Sequence, residues 1–340
     1  MKVQALKRFA KFDTWSDCFL GWIGVLETRI NCVIVCYLGP AGTSDYRAVD
    51  LLSTVVDPEP LPMSSVAEII QTVNYMPGCL GVVPLEDSTN GELTTILDRL
   101  IFDTDAVLIR EEVVLVEDIC AFGTDPDMVI TSVVSHPLVL DLCSQFIKER
   151  GLATRHAIST AEACRIVVEE AGSGVVALAP PRVGESSGLQ VNATEVLDTP
   201  DLRTRYVLIG SEVAPRSGDD KTSVVVTPAV DRVGFLAEVA ARFAKHGVNM
   251  TSILSRPLQA RIGNYAFHIT CEGHISDPGV QGAMDELIDF GASVKLLGSY
   301  PRWKGIEVTT PSSLLPLGSV DSASTPEERA RLNQPHVAPI

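Results

Sequence analysis

Two α/β units in tandem are what this sequence predicts: a larger one on a mainly parallel sheet, then a small domain of βαββαβ order. Three observations carry that expectation. A strand, turn and helix pattern recurs between Cys32 and Ala179; residues 213–220 have a linker composition with Pro215, Gly218 and paired Asp219 and Asp220; and after them alternating and helical periodicities follow in the order of a split βαβ scaffold. A chain of 340 residues suits about two hydrophobic cores.

The first unit opens with an apolar run from Cys32 to Leu38, a turn at Gly39 and Pro40, and a helical pattern from Thr43 with Ala48, Leu51 and Leu52 on one side. Cys79 to Pro84 reads as the next strand, Glu86 to Gly91 as a polar turn, and Leu93, Ile96, Leu97 and Leu100 as a helix stripe. A third copy has Ile130 to Val134 as strand, Ser135, His136 and Pro137 as turn, and Leu138 to Phe146 as helix; a fourth ends in Val175 to Ala179. Ligands of such sheets sit beyond the carboxyl ends of the strands, where these polar turns lie.

In the small domain Lys221 to Thr227 alternates as a strand, and Gly234 to His246 is helical with Leu236, Val239, Ala240 and Phe243 as its stripe. Val248 to Arg256 and Asn264 to Cys271 are strands, Val280, Met284, Leu287 and Ile288 mark a second helix, and Ser293 to Leu297 a last strand. Residues past Trp303 lack apolar period and predict a disordered tail (304–340). Residues 1–32 predict an extension outside the folded unit: the apolar stretch Cys18 to Leu26 is too short for a membrane span, and Asp13 and Asp17 interrupt its basic flank.

A formal net charge of −16 excludes a general affinity for nucleic acid, whose phosphates would be repelled. The same field repels small anions, so a carboxylate site needs a few placed arginines, hydroxyls and backbone N–H groups. The eight cysteines form no C-x-x-C pair and no zinc spacing; Cys32, Cys36, Cys79 and Cys164 sit in apolar runs as reduced core residues, and the expected location is the cytoplasm, with no membrane partner.

Several motifs then fall in one order. Tyr37 to Thr43 (YLGPAGT) is similar to the Y-L-G-P-E-G-T-F opening of prephenate dehydratases, and Gly81 to Gly91 (GVVPLEDSTNG) to their G-V-V-P-I-E-N-S-x-x-G. Ser135, His136 and Pro137 match the S-H-P turn, Ser159 to Ala163 the S-T-A-E-A helix start, and Thr204, Arg205 and Tyr206 the T-R-F signature. Further on, Gly247 to Asn249 and Ser255 to Pro257 resemble the G-I-N and E-S-R-P elements of the attached ACT regulatory domain, and Gly298 to Pro301 its ending.

The resemblance implies a two-lobed, type II periplasmic-binding-protein-like catalytic domain over 33–212 and a ferredoxin-like ACT domain over 221–303. It implies that prephenate, held between the lobes, loses carbon dioxide and its ring hydroxyl to give phenylpyruvate with no cofactor and no metal, under feedback by phenylalanine, in a homodimer or homotetramer. Aromatisation drives such a step, so the protein has to hold two carboxylates and help hydroxide leave.

On this resemblance Thr204 is the hydrogen-bond donor to the departing hydroxyl and Arg205 the clamp for a carboxylate, with Ser88 and Glu86 as further catalytic residues. Thr43, Ser44, Asp87, Ser135 and His136 are the substrate-binding set, and Gly234, Phe235, Leu236, Asn249, Leu254, Ser255 and Arg256 the effector-binding set. Plainer readings stand beside these: Thr204 as an ordinary strand residue, Arg205 paired with an acidic neighbour, Thr43 and Ser44 as a helix cap, and His136 as turn structure.

The sequence also departs from the motifs. Ala41 stands for a glutamate, Ser44 for a phenylalanine, Asp87 for the asparagine of E-N-S, Leu138 and Leu142 for glutamines, Leu202 for an asparagine and Leu254 for the glutamate of E-S-R-P. Exchanging asparagine for Asp87 removes an amide donor and adds negative charge near a dianion. An arogenate dehydratase, a non-aromatising prephenate decarboxylase and a non-catalytic amino-acid sensor therefore stay open as alternatives.

Overall fold

A computed structural model describes residues 33–305 apart from 53, 56, 77, 231 and 259–264, together with Thr325. The predicted extension and nearly all of the predicted tail lie outside the described residues.

The chain begins with β1 (Val33–Leu38), α1 (Ser44–Asp50), β2 (Pro58–Met63), α2 (Val66–Tyr75), β3 (Leu80–Asp87), β4 (Gly91–Glu92), α3 (Thr94–Phe102) and β5 (Leu108–Val116). It then enters a second lobe of β6 (Cys120–Gly123), β7 (Ser132–Ser135), α4 (Pro137–Leu142), α5 (Ser144–Glu149), β8 (Ala153–His156), α6 (Thr160–Glu169), β9 (Val175–Ala179), α7 (Pro181–Ser186) and β10 (Gln190–Ala193), and returns as β11 (Arg203–Gly210). The small domain is β12 (Asp220–Pro228), α8 (Phe235–Lys245), β13 (Met250–Pro257), β14 (Tyr265–Glu272), α9 (Pro278–Asp289) and β15 (Ala292–Pro301), in the predicted βαββαβ order.

Local chemistry sets these elements. β9, five buried aliphatic residues, runs through the middle of the second lobe. α2 and α6 start on serine caps, Ser65 and Ser159, whose hydroxyls accept from the backbone N–H of Glu68 and Glu162. Each carboxylate reaches back to a preceding N–H, of Ser64 and Ile158 respectively. The buried stripe of α2 is Ile69, Ile70 and Val73, laid on the first lobe's core.

Two sheets result. The second lobe has five strands in the order β10-β6-β9-β7-β8. The other sheet has ten, β13-β14-β12-β15-β5-β11-β3-β1-β2, with β4 on β3. The expected mainly parallel sheet is mixed instead. β1 runs parallel to β2 and β3, but β11 is antiparallel to both β3 and β5, because it comes back from the second lobe to complete the first. The expected helix from Leu138 to Phe146 is two short helices that break at Cys143, where the Asp198 carboxylate accepts from Ser144 Oγ at 2.6 Å and Gln145 N at 2.8 Å. The expected linker is pinned: Ala214 is buried, and Asp220 accepts from the backbone N–H groups of Ser217 and Gly218.

The small domain buries both faces of its sheet. Val224, Val226, Ile269 and Cys271 pack under α8 and α9. Val225, Ala266 and Leu297 turn the other way, onto Leu97, Leu100 and Ile101 of α3. Lys295 joins that contact, its ammonium donating to the carbonyls of Leu100 at 2.9 Å and Ile101 at 2.7 Å as a cation at the helix C-terminus.

Candidate active site

Two crossings, 117–119 and 194–202, join the lobes, and the Glu117 N–H donates to the Leu202 carbonyl at 2.7 Å to hold them side by side. The lobes also meet across α1 and α7, where Arg182 reaches Asp50 at 3.2 Å and lies over the Tyr46 ring. Gly42 turns the chain here with a φ of 94°, a left-handed conformation that favours glycine.

Thr204 and Arg205, expected to share the crevice, lie on opposite faces of β11. Alternation along the strand puts Thr204 with Tyr206 and Leu208, on the α1 side, and Arg205 with Val207 and Ile209, on the small-domain side. Thr204 is half-buried and pairs across the ladder with Asp87 and Leu115. The Arg205 guanidinium is occupied by Glu86 at 2.5 Å and Glu112 at 3.3 Å, with the fully buried Tyr300 beside it. A free carboxylate clamp is therefore not what its geometry provides.

A bulge explains where Glu86 and Asp87 point. The β3–β11 register pairs Tyr206 with Pro84 and Arg205 with Glu86, skipping Leu85. Leu85 and Glu86 both turn toward the small-domain side, and Asp87 returns to the side of Thr204. The Asp87 carboxylate accepts from the N–H groups of Thr89 at 2.8 Å and Asn90 at 2.6 Å, and from the Asn90 amide. The charge that replaces an asparagine thus closes a tight turn. Ser88 ties that turn to β11: its N–H donates to the Arg203 carbonyl at 2.8 Å, and its Oγ accepts from Arg203 N at 3.0 Å.

The hydroxyl of Thr43 is spent locally, accepting from Tyr46 N as the α1 cap and donating toward the carbonyls of Pro40 and Leu38. Ser135, expected at the substrate, is fully buried and donates to the Leu178 carbonyl at 2.7 Å, which binds β7 to β9. His136 caps α4 through Nδ1 and lines an open cavity of about 630 Å³ in the second lobe with His156, Ile158 and Glu162.

The sequence reading missed a carboxylate at the crossing between the lobes, Glu117. Ser44 Oγ donates to one oxygen of Glu117, and the Tyr206 hydroxyl donates to the other at 3.3 Å. Ser44 and Tyr206 stand where the quoted motifs have phenylalanine, in G-T-F and T-R-F, so two departures are satisfied by one carboxylate. The coincidence of these two gained hydroxyls was the available signal; Glu117 itself lies in no motif. Beside it the Asp45 carboxyl has a buried Oδ1 without a partner and is pushed up to about 7, by burial first and then by the Glu117 charge.

In the small domain the effector set divides. Gly234, Leu236, Asn249 and Ser255 are exposed. Phe235 is a core residue instead, stacked on Phe267 and Phe290. Leu254 and Arg256 also turn away, because alternate residues of β13 face α3: Leu254 packs on the first lobe's core, and Arg256 forks onto Asp98 at 2.6 and 2.7 Å.

Residues 35–214 match the prephenate dehydratase family model, and residues 223–289 match that of the ACT domain. The chain belongs to the prephenate dehydratase family. It is 32% identical over 273 residues to a bifunctional chorismate mutase/prephenate dehydratase of Stutzerimonas stutzeri, covering 79% of this chain and 73% of that protein. It is 30% identical over 278 residues to a prephenate dehydratase of Amycolatopsis methanolica, covering 81% and 90%. The crystal structure of an Arthrobacter aurescens prephenate dehydratase in complex with L-Phe superposes with a TM-score of 0.71 at 28% identity, covering 82% of this chain and 94% of that one. The five-stranded sheet and the β5-β11-β3-β1-β2 part of the ten-stranded sheet thus form a two-lobed α/β module of this family, and the β13-β14-β12-β15 part is its ACT domain. Among the described residues no helix is long and apolar enough to cross a membrane.

Proposed function

We propose that the chain is a prephenate dehydratase of phenylalanine biosynthesis, with phenylalanine as the effector of its ACT domain. The observation that carries this reading is Thr204, half-buried on the crevice side of β11 and directly across from Asp87, inside a chain of this family. As the bond from the ring to its carboxylate breaks, its electrons enter the ring and the C4 hydroxyl departs. The Thr204 hydroxyl, held in a half-dry cleft, stabilises that departing oxygen by a positioned hydrogen bond. Ser88 and Asp87 hold the turn against β11, and Arg205 supports the strand from behind. Incubation of the purified protein with prephenate should release a product with the mass and ultraviolet spectrum of phenylpyruvate. A decarboxylated product without a benzene ring, or bound and unchanged prephenate, would count against the reading.

One observation favours a second reading. Two carboxyl groups, Glu117 and Asp45, lie together at the crossing between the lobes, and arogenate presents an ammonium group where prephenate has a ketone. Turnover of arogenate exceeding that of prephenate would select it.

A further inference from the structure

We infer that Glu112 and Glu92 are positioning residues, through which the ACT sheet holds the two strand ends that carry Thr204 and Asp87. The inference rests on the dehydratase reading and adds to it the physical link between regulatory domain and crevice.

Two polar chains with buried centres leave the same face of β12. Lys221 and Ser223, two residues apart, both point at the first lobe. Lys221 Nζ donates at 2.7 Å to Glu112, whose side chain is 1% exposed. Glu112 also accepts from Arg205 Nη1 at 3.3 Å and from the Trp303 N–H at 2.9 Å. Tyr300, the cross-strand partner of Lys221, packs beside the same guanidinium. Arg205 then passes the contact to Glu86, on the far side of the bulge that aims Asp87 at Thr204.

The second chain runs from Ser223 Oγ to His268 Nε2 at 2.8 Å, and from His268 Nδ1 to Glu92 at 3.3 Å. Glu92 is the Cα partner of Glu86 on β4, so it fixes the other arm of the 87–91 hairpin. Both chains therefore end on the Glu86 pair, one residue from Asp87 and one strand from Thr204.

Glu86 at the end of the first chain is 42% exposed, whereas the inner links, Glu112 with Arg205 and His268 with Glu92, are buried and have few alternative arrangements. A shift of β12 is thereby carried to the crevice instead of being absorbed by side-chain motion. Lys221, at 19% exposure, is the more accessible partner of Glu112, and Lys221→Arg keeps the charge that Glu112 faces.

The test uses full-length Lys221→Met, Lys221→Arg and Glu112→Gln, with hydrogen exchange of 86–92 and 203–206 read against α8 as internal control. Lys221→Met and Glu112→Gln should speed exchange in those two segments and leave α8 unchanged. They should also lower kcat for prephenate about 5- to 30-fold with KM held within about twofold, and Lys221→Arg should restore both readouts. Unchanged exchange at 86–92 and 203–206 in both variants, or acceleration that extends equally through α8, would overturn the inference. Absence of phenylpyruvate from the unaltered protein would defeat the dehydratase reading alone, and the exchange measurement would still decide this one.

Discussion

Gly298 lies directly against Ile109, and this pair joins the ACT sheet to the first lobe's sheet as the one registered pairing of β15 with β5. A β-carbon on Gly298 would stand 2.3 Å from the Ile109 carbonyl oxygen, far inside contact distance, with backbone that cannot move aside. Gly298→Ala should therefore destabilise the protein by about 3 kcal/mol, the upper end of overpacking costs. Urea denaturation of the two proteins measures this, and a difference under about 0.5 kcal/mol would mean that the junction is loose.

Asp45 predicts an unusual pH response. Its folded-state carboxyl is raised to about 7, above an unfolded value near 3.8, so the native state binds the extra proton. This group costs nothing below about pH 4, and its contribution falls away as pH rises through about 7. Asp45→Asn should leave stability at pH 4 nearly unchanged and raise it at pH 8 by roughly 1–4 kcal/mol. Thermal melts at the two pH values check the sign.

Much of the fold was legible because its signals are local. The ACT order followed from alternation in β12 and from the α8 stripe, whose Val239 and Phe243 are buried in the core. The strand β2 was not legible: its sequence PEPLPM carries prolines at 58, 60 and 62, which only an edge position tolerates, and edge position is a tertiary fact. The same limit hid the fate of Arg205. Adjacent residues of a strand face opposite ways, but the sequence does not say which face is the crevice, and the Leu85 bulge that turns Glu86 toward Arg205 leaves no mark in it. The bond of Ser135 was not legible either, because a motif position at a strand end reads alike whether its hydroxyl meets a ligand or, as in the structure, the Leu178 carbonyl.

Glu117 should couple the two motif departures energetically. With two hydroxyls donating to one carboxylate, Tyr206→Phe and Ser44→Ala should each cost about 1.5–3 kcal/mol, as hydrogen bonds to a charge do. The double variant should differ from their sum by about 0.5–2 kcal/mol. A double-mutant cycle in denaturant tests this, and strict additivity would show that the two hydroxyls do not share the carboxylate.

Glu112 predicts the opposite pH sign from Asp45. Burial would raise its carboxyl, but Lys221 and then Arg205 hold it below the usual carboxylate range. Its stabilisation is therefore complete above the unfolded value near 4.5 and is lost as pH falls through the depressed folded value. Glu112→Gln should cost about 3 kcal/mol at pH 7, where it takes the carboxylate from Lys221 and leaves Arg205 with Glu86 alone, and progressively less in acid below pH 4. Denaturation at both pH values should show the gap narrowing in acid; a gap independent of pH would deny the ion pairs that role.

Turnover of prephenate by Thr204→Ala, compared with the unaltered protein at matched melting temperature, decides most directly whether the crevice face of β11 performs the chemistry. Loss of about 100- to 1,000-fold in kcat, with substrate binding retained, is the result expected from removing a positioned donor to the leaving oxygen. Phenylpyruvate released at the unaltered rate would contradict it.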